Sequence, residues 1–200
     1  MKIGITLNEV LRGFVNQLHY TYEKYISPLD IKEEDVTSFN LIEFFKFADI
    51  TKFNTFLYVE ASLEIFGHAD QLTDNLMNHF NTFFMSMKDD GEHQIEIVSR
   101  EVANSIPSTF FFLSKTLCKA ENYRFVGTYA EKWDGVDLLI TANPKTLEAK
   151  PKGKISVKVK ASYNKDVVAD YEIDSILDFM RDEELRNKIL NTKITTYEEI

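Results

Sequence analysis

Apolar and polar positions follow two rhythms along this chain, and the change between them divides it. Short apolar or β-branched runs, each closed by a polar residue or glycine, stand at Lys2–Leu7, Gln94–Ser99, Tyr123–Gly127 and Val136–Thr141. Strands read this way when both faces of a parallel sheet are covered. Ile155-Ser156-Val157-Lys158-Val159-Lys160 alternates strictly instead, which predicts an edge strand with one wet face. Helical stretches follow the first strand over Glu9–Tyr25 and the second over Ser108–Ala120. Strand–helix alternation of this kind predicts an α/β fold on a doubly wound, parallel, five-stranded sheet.

Residues 26–90 break that rhythm. They carry no strand pattern, but Ala69, Leu72, Leu76, Phe80, Phe83 and Met87 recur at three- and four-residue steps on one helical face. The segment is also rich in phenylalanine, with Phe39, Phe44, Phe45, Phe47, Phe53, Phe56, Phe66, Phe80, Phe83 and Phe84. An all-helical lobe inserted between the first two strands is expected. Its rings form either the lobe's own core or, for some, an exposed docking surface, since aromatic side chains anchor protein contacts. Phe44, Phe45, Phe80 and Phe84 are the candidates for that surface, with Ile176 and Met180 from the end of the chain.

From Asp170 the chain leaves the strand–helix series again. Ile173, Ile176, Leu177 and Met180 share a helical face, and a second short helix is expected near Asp182 with Leu185 and Ile189 buried. The tail Asn191–Ile200 has little hydrophobic pattern, as expected of a terminus that is ordered only by docking or not at all. The expected organisation is therefore a core from residues 1–25 and 91–169, a helical lobe at 26–90 and a helical C-terminal arm at 170–200.

With 200 residues and 44% hydrophobic side chains, one sizeable core and a small second lobe can be buried. A net charge of −9 disfavours phosphate-backbone partners, because nucleic-acid affinity comes mainly from lysine and arginine. Lys145, Lys150, Lys152, Lys154, Lys158 and Lys160 form a local exception, but nucleic acid is not the expected partner. Cys118 is the only cysteine, which excludes an intrachain disulfide and a cysteine zinc site. His19, His68, His79 and His93 are scattered without metal-site spacing. No secretion leader and no run of about 18 apolar residues is visible, so the expectation is a soluble protein without a cofactor, kept in a reducing compartment.

The first strand ends in Thr6-Leu7-Asn8, followed by a turn and a helix. This resembles the first motif of the haloacid-dehalogenase-like (HAD) phosphatases of the 5′-nucleotidase type, where Asp-x-Asp stands at those two positions. In that family the first carboxylate is nucleophile and Mg²⁺ ligand, and the second is general acid and base. The second motif, a Ser or Thr that holds the phosphoryl group, corresponds to Ser99 in Ile95-Glu96-Ile97-Val98-Ser99. The third, a charge-neutralising lysine, corresponds to Lys132, with Lys115 the runner-up. The fourth, one or two aspartates completing the Mg²⁺ shell, falls on Thr141-Ala142. The resemblance covers about residues 1–13 and 92–165 and implies a HAD-like core, with the helical lobe placed like a cap.

On this resemblance the carboxylates are gone while the neutral hydroxyl and the amine remain. Mg²⁺ demands hard, preferably anionic oxygen ligands and gives up water reluctantly. A threonine hydroxyl is a poor nucleophile without a neighbouring base. Losing nucleophile and metal together removes most of what phosphoryl transfer depends on, so no catalytic residue and no metal ligand is expected. Ser99 and Lys132 could still form a weak phosphate site. Equally, Ser99 suits a helix or turn cap, and Lys132 a solvated surface. Among nearby carboxylates, Asp134 stands beside Lys132, Glu9 is expected to point away from the crevice, and Asp137 lies at the wrong end of its strand.

Several phrases are similar to HAD-like proteins of tailed phages of the crAss-like group: Phe56-Leu57-Tyr58-Val59, Glu64-Ile65-Phe66-Gly67, Phe110-Phe111-Phe112-Leu113-Ser114-Lys115, Trp133-Asp134-Gly135-Val136-Asp137 and Lys150-Pro151-Lys152-Gly153-Lys154. The resemblance implies a virion building block of the neck, tail or another portal-proximal assembly, made in the host cytoplasm. Its partners would be other virion structural proteins in a multi-copy assembly, with no membrane involved. A nucleotide or phosphate sensor and a residual nucleotidase-like phosphatase are the alternatives.

Overall fold

The computed structural model describes residues 1–192, so the tail expected at Asn191–Ile200 lies, from Lys193 on, outside the described residues. Six strands form one parallel sheet: β1 (Lys2–Ile5), β2 (Gln94–Ser99), β3 (Tyr123–Phe125), β4 (Leu138–Thr141), β5 (Ile155–Val159) and β6 (Tyr171–Ile173), in the order β3-β2-β1-β4-β5-β6. The β-branched runs read from the sequence supply its middle. Ile3 and Ile5, Ile95 and Ile97, Leu138 and Ile140, and Ile155 and Val157 share one apolar cluster with helices α3 (Leu76–Asp90), α4 (Ser105–Lys115), α6 (Ile176–Arg181) and α7 (Glu183–Leu190). On the other side, Trp133, Val136 and Leu139 form a much smaller cluster. Gly4 leaves room there, since a Cβ at that position would meet Leu139 Cδ1 at 2.7 Å and Val136 Cγ1 at 3.1 Å and would force the Leu139 side chain to shift.

Two expectations about the far edge need correction. The sheet has six strands, not five, and β5 is not its edge: β6 pairs with it in parallel. Tyr171-Glu172-Ile173 is too short to carry a readable period. Nor is the alternation of β5 a wet face, since all five of its residues are buried. Lys158 is neutralised by Glu172 at 2.7 Å and donates to the Val167 carbonyl at 2.6 Å, while Ser156 Oγ donates to Asp170 at 2.8 Å. Polar residues can alternate in a covered strand when their partners come with the cover. The stretch from residue 170 therefore extends the sheet rather than forming an arm. Ser175 and Asp178 form a capping box that starts α6, and Asp182 caps α7.

The lysine-rich stretch is largely neutralised within the fold. Lys145 pairs with Glu148, Lys150 with Asp170, Lys158 with Glu172 and Lys160 with Asp174.

The lobe contains α1 (Phe14–Tyr25), α2 (Ile50–Thr55) and two π-helical turns, Phe56–Glu60 and Leu63–Gly67, closed by bonds from Ala61 N–H to Phe56 O and from His68 N–H to Leu63 O. Its core joins Phe14, Leu18 and Tyr22 of α1 to Phe45, Phe53, Phe56 and Phe66. The apolar clusters thus divide the chain differently from the expected 26–90 insert. α1 packs in the lobe, whereas α3, with Phe80, Phe83 and Phe84, packs on the sheet. Periodicity identifies an apolar stripe but not the surface it will cover. The chain enters the lobe near Gly13 and leaves near Asp70, and the crossings bond to each other, Gly13 N–H to Asp70 O and Leu72 N–H to Leu11 O, both at 3.0 Å.

The expected docking residues are also corrected. Phe45 sits in the lobe core, Phe80, Phe84, Ile176 and Met180 in the sheet core, and Phe44 is half-buried against the lobe. Each lies on an apolar stripe that another element of the same chain covers.

Candidate functional site

The strand order reverses at β1 and β4, so their C-terminal ends border the crevice where open parallel sheets place ligands. A cavity of about 470 Å³ lies there between sheet and lobe. Thr6, Asn8, Ser99, Lys132 and Asn143 line it from the sheet side, and Phe14, Phe39, Phe53, Leu57, Tyr58 and Phe66 from the lobe. Four of the five motif positions therefore line one cavity. The fifth, Thr141, is fully buried and bonded to the first: Thr6 Oγ1 donates to Thr141 Oγ1 at 3.1 Å. Thr141 Oγ1 also accepts from Asn143 N–H at 3.1 Å, and Asn143 in turn caps α5 (Pro144–Glu148).

Arg12, which no motif marks, organises the wall on the β1 side. It is 0% exposed, and all five of its N–H donors are engaged. Nε and Nη2 donate to Asn8 Oδ1 at 2.9 and 2.6 Å, Nη2 to Glu101 Oε1 at 2.8 Å, and Nη1 to Thr109 Oγ1 at 2.8 Å and Phe66 O at 3.1 Å. Its guanidinium carbon lies 5.1 Å and 5.4 Å from the Phe66 and Phe112 ring centroids. Burial lowers the Arg12 pKa, and the adjacent Glu101 opposes that shift. This one side chain links lobe, sheet and α4. An arginine within Val10-Leu11-Arg12-Gly13-Phe14 was the available signal, since a charge inside an apolar run needs a partner.

Lys132 organises the opposite wall. The 3₁₀ turn Ala130–Trp133 is held from both ends: Trp133 Nε1 donates to Thr146 O at 2.8 Å, and Arg124 donates to the carbonyls of Glu131 at 2.7 Å and Lys132 at 3.2 Å. Lys132 is only 5% exposed, so it is not a solvated surface lysine. Among the described residues its ammonium has no hydrogen bond or ion pair, and the Tyr129 ring centroid lies 5.8 Å away. Burial pushes its pKa down to about 8, with Glu101 acting upwards and Arg100 downwards. The runner-up, Lys115, donates to the carbonyls of His68 and Ala69 at the lobe's exit.

Ser99 ends β2 on the cavity wall, but its hydroxyl donates to Glu101 Oε1 at 2.9 Å. Glu101 Oε2 is buried without a hydrogen-bond partner among the described residues. Glu9 accepts from Val15 N–H at 2.8 Å in the first turn of α1, Asp137 accepts from Lys2 N–H at 2.7 Å at the start of the sheet, and Asp134 is exposed.

These side chains do not fit Mg²⁺. Thr6 and Thr141 offer neutral hydroxyls already bonded to each other, and Asn8 Oδ1 accepts two N–H groups of a cation. A dication beside Asn8 would meet the Arg12 guanidinium, and the nearby Glu101 carboxylate is already bonded to Arg12 and Ser99. Among the described residues, no group of three or more His, Cys, Asp or Glu side chains is placed to hold a metal.

Compared with solved structures, the chain is similar to a dehalogenase crystallised with an intermediate complex. The TM-score is 0.51 at 10% identity, over 89% of this chain and 94% of that one. No protein-family model matches the chain, and no curated protein matches it. At such low identity the likeness concerns architecture, and the fold is HAD-like.

Proposed function

We propose that this chain is an architectural HAD-like protein of a tailed-phage particle, acting through protein–protein contacts and not through phosphoryl transfer. The observation that carries this reading is the state of the crevice: neutral oxygens stand at the motif positions, and a fully engaged guanidinium is bonded to one of them. Phosphoryl transfer needs an activated nucleophile and charge stabilisation that this set does not supply. The similarity of several phrases to crAss-like phage proteins supports the particle setting. Contact surface would come from α4, where Phe110 and Phe111 are 47% and 42% exposed beside Leu63 and the edge strand β3.

Two measurements test the reading together. No Mg²⁺-dependent hydrolysis of nucleoside monophosphates is expected, and the protein should be found in purified particles beside other virion proteins. Hydrolysis that disappears in Ser99→Ala or Lys132→Ala would overturn it. A second reading, an anion-binding protein in which the crevice senses a ligand, is favoured by the unpaired, buried Lys132. It predicts thermal stabilisation by an anionic ligand, because a native-state binder shifts unfolding by mass action.

A further inference from the structure

The two walls of the crevice restrict which anion would suit it. A phosphate monoester carries about 1.5 to 2 negative charges at neutral pH. Among the described residues two cations line the cavity, and Lys132 is the one without a hydrogen bond or ion pair. The five N–H groups of Arg12 all have partners. Arg100, also on the wall, donates through Nε to Gly127 O at 2.9 Å and lies over the Tyr129 ring at 5.0 Å. The Ser99 hydroxyl points its hydrogen at Glu101, whose second oxygen adds buried negative charge behind it. Lys132 and Arg100, set against that carboxylate, leave the lining with a net charge of about +1, which matches a monoanion better than a dianion.

The rest of the chamber is aromatic. Phe39 spans from the lobe to the core, with its centroid 6.0 Å from Tyr129 and 5.7 Å from Tyr163, and Phe53, Tyr58 and Phe66 continue the lining. Flat apolar surface around one fixed charge is how small-molecule sites combine binding with orientation. A largely buried lysine whose ammonium has no hydrogen-bond partner is costly, and an anion that neutralises it in an apolar setting gains more than it would in water.

We propose that the crevice binds an aromatic monocarboxylate, with its carboxylate on the Lys132 ammonium and its ring among Phe39, Tyr129 and Tyr163. This rests on the anion-binding reading of the same cavity. Three probes share one ring system: naphthalene-2-carboxylate, 2-naphthyl phosphate and neutral naphthalene-2-carboxamide. Titration calorimetry on the full chain should show the carboxylate binding at least about tenfold tighter than either of the others, a difference of about 1.4 kcal/mol. In Lys132→Met and Lys132→Gln the carboxylate should fall to the level of the amide, while amide binding stays unchanged and reports an intact chamber. Phosphate binding as tight as carboxylate binding or tighter, with dependence on Lys132, would overturn the monocarboxylate and leave the anion site standing. Equal binding of carboxylate and amide, no effect of either Lys132 variant, or no binding of any probe would overturn both.

Discussion

Two buried cations serve the same crevice in opposite surroundings, Arg12 from behind Asn8 and Lys132 in the lining itself. Arg12, on the β1 side, has a partner for every donor and holds lobe, sheet and α4 together. Lys132, in the cavity lining, has an aromatic ring beside it and Glu101 acting on it from a distance, with no hydrogen bond or ion pair among the described residues. A charge is tolerated in a low-dielectric interior when its bonds are complete, and remains a liability when they are not. One wall is therefore built as structure, and the other retains the electrostatic character of a binding site.

The strongest way to break the comparison is Arg12→Met. It leaves Glu101 buried without its counter-charge and removes five hydrogen bonds, so denaturant unfolding should show a loss of about 3–5 kcal/mol. Adding Glu101→Gln should return part of that loss, making the double variant less destabilised than the sum of the singles.

Lys132→Met should act with the opposite sign, raising stability at pH 7 by up to about 3 kcal/mol because a desolvated charge that Glu101 only partly offsets is removed. The pH dependence follows from the same shift. In the folded chain Lys132 releases its proton near 8, whereas its ordinary value is 10.5. Between those values the unfolded chain holds more protons, so this group adds stability as pH rises from about 8 to about 10.5 and withdraws it as pH falls again. Cys118, Tyr58 and Tyr123, whose pKa values burial raises, act with the opposite sign in that window. The measurement is therefore the difference between thermal melts of the parent and Lys132→Met, which should shift in the parent's favour from about pH 8 to about pH 10.5. The smallest effect is expected from Thr6→Val, which removes one hydroxyl bond at the strand ends and should cost about 1 kcal/mol by the same unfolding measurement.

Sequence reasoning reached the interior of the sheet because β1, β2 and β4 are apolar runs whose residues are buried almost throughout. It also placed Thr6, Asn8, Ser99 and Lys132, which the fold brings to one cavity. It missed β6, whose three residues leave no period to read. It read β5 as exposed because Lys158 and Ser156 look solvated until Glu172 and Asp170, distant in sequence from the strand's start, are folded over them. Choosing between Lys115 and Lys132 needed tertiary placement, since one meets carbonyls at the lobe's exit and the other meets the cavity. Arg12 escaped notice for a similar reason: its partners Phe66, Glu101 and Thr109 are remote along the chain.

The bonded pair of crossings at Gly13 and Asp70 makes the lobe a detachable module in the topological sense. Everything between those residues leaves and re-enters through a single narrow doorway, so its length and composition can drift while the strands beneath keep their spacing. Such a chain can acquire a new outer face through this insert without redesigning the foundation that carries it, provided the replacement still receives Arg12 and the bonds that Asn104, Ser108, Lys115 and Ser162 make to the lobe.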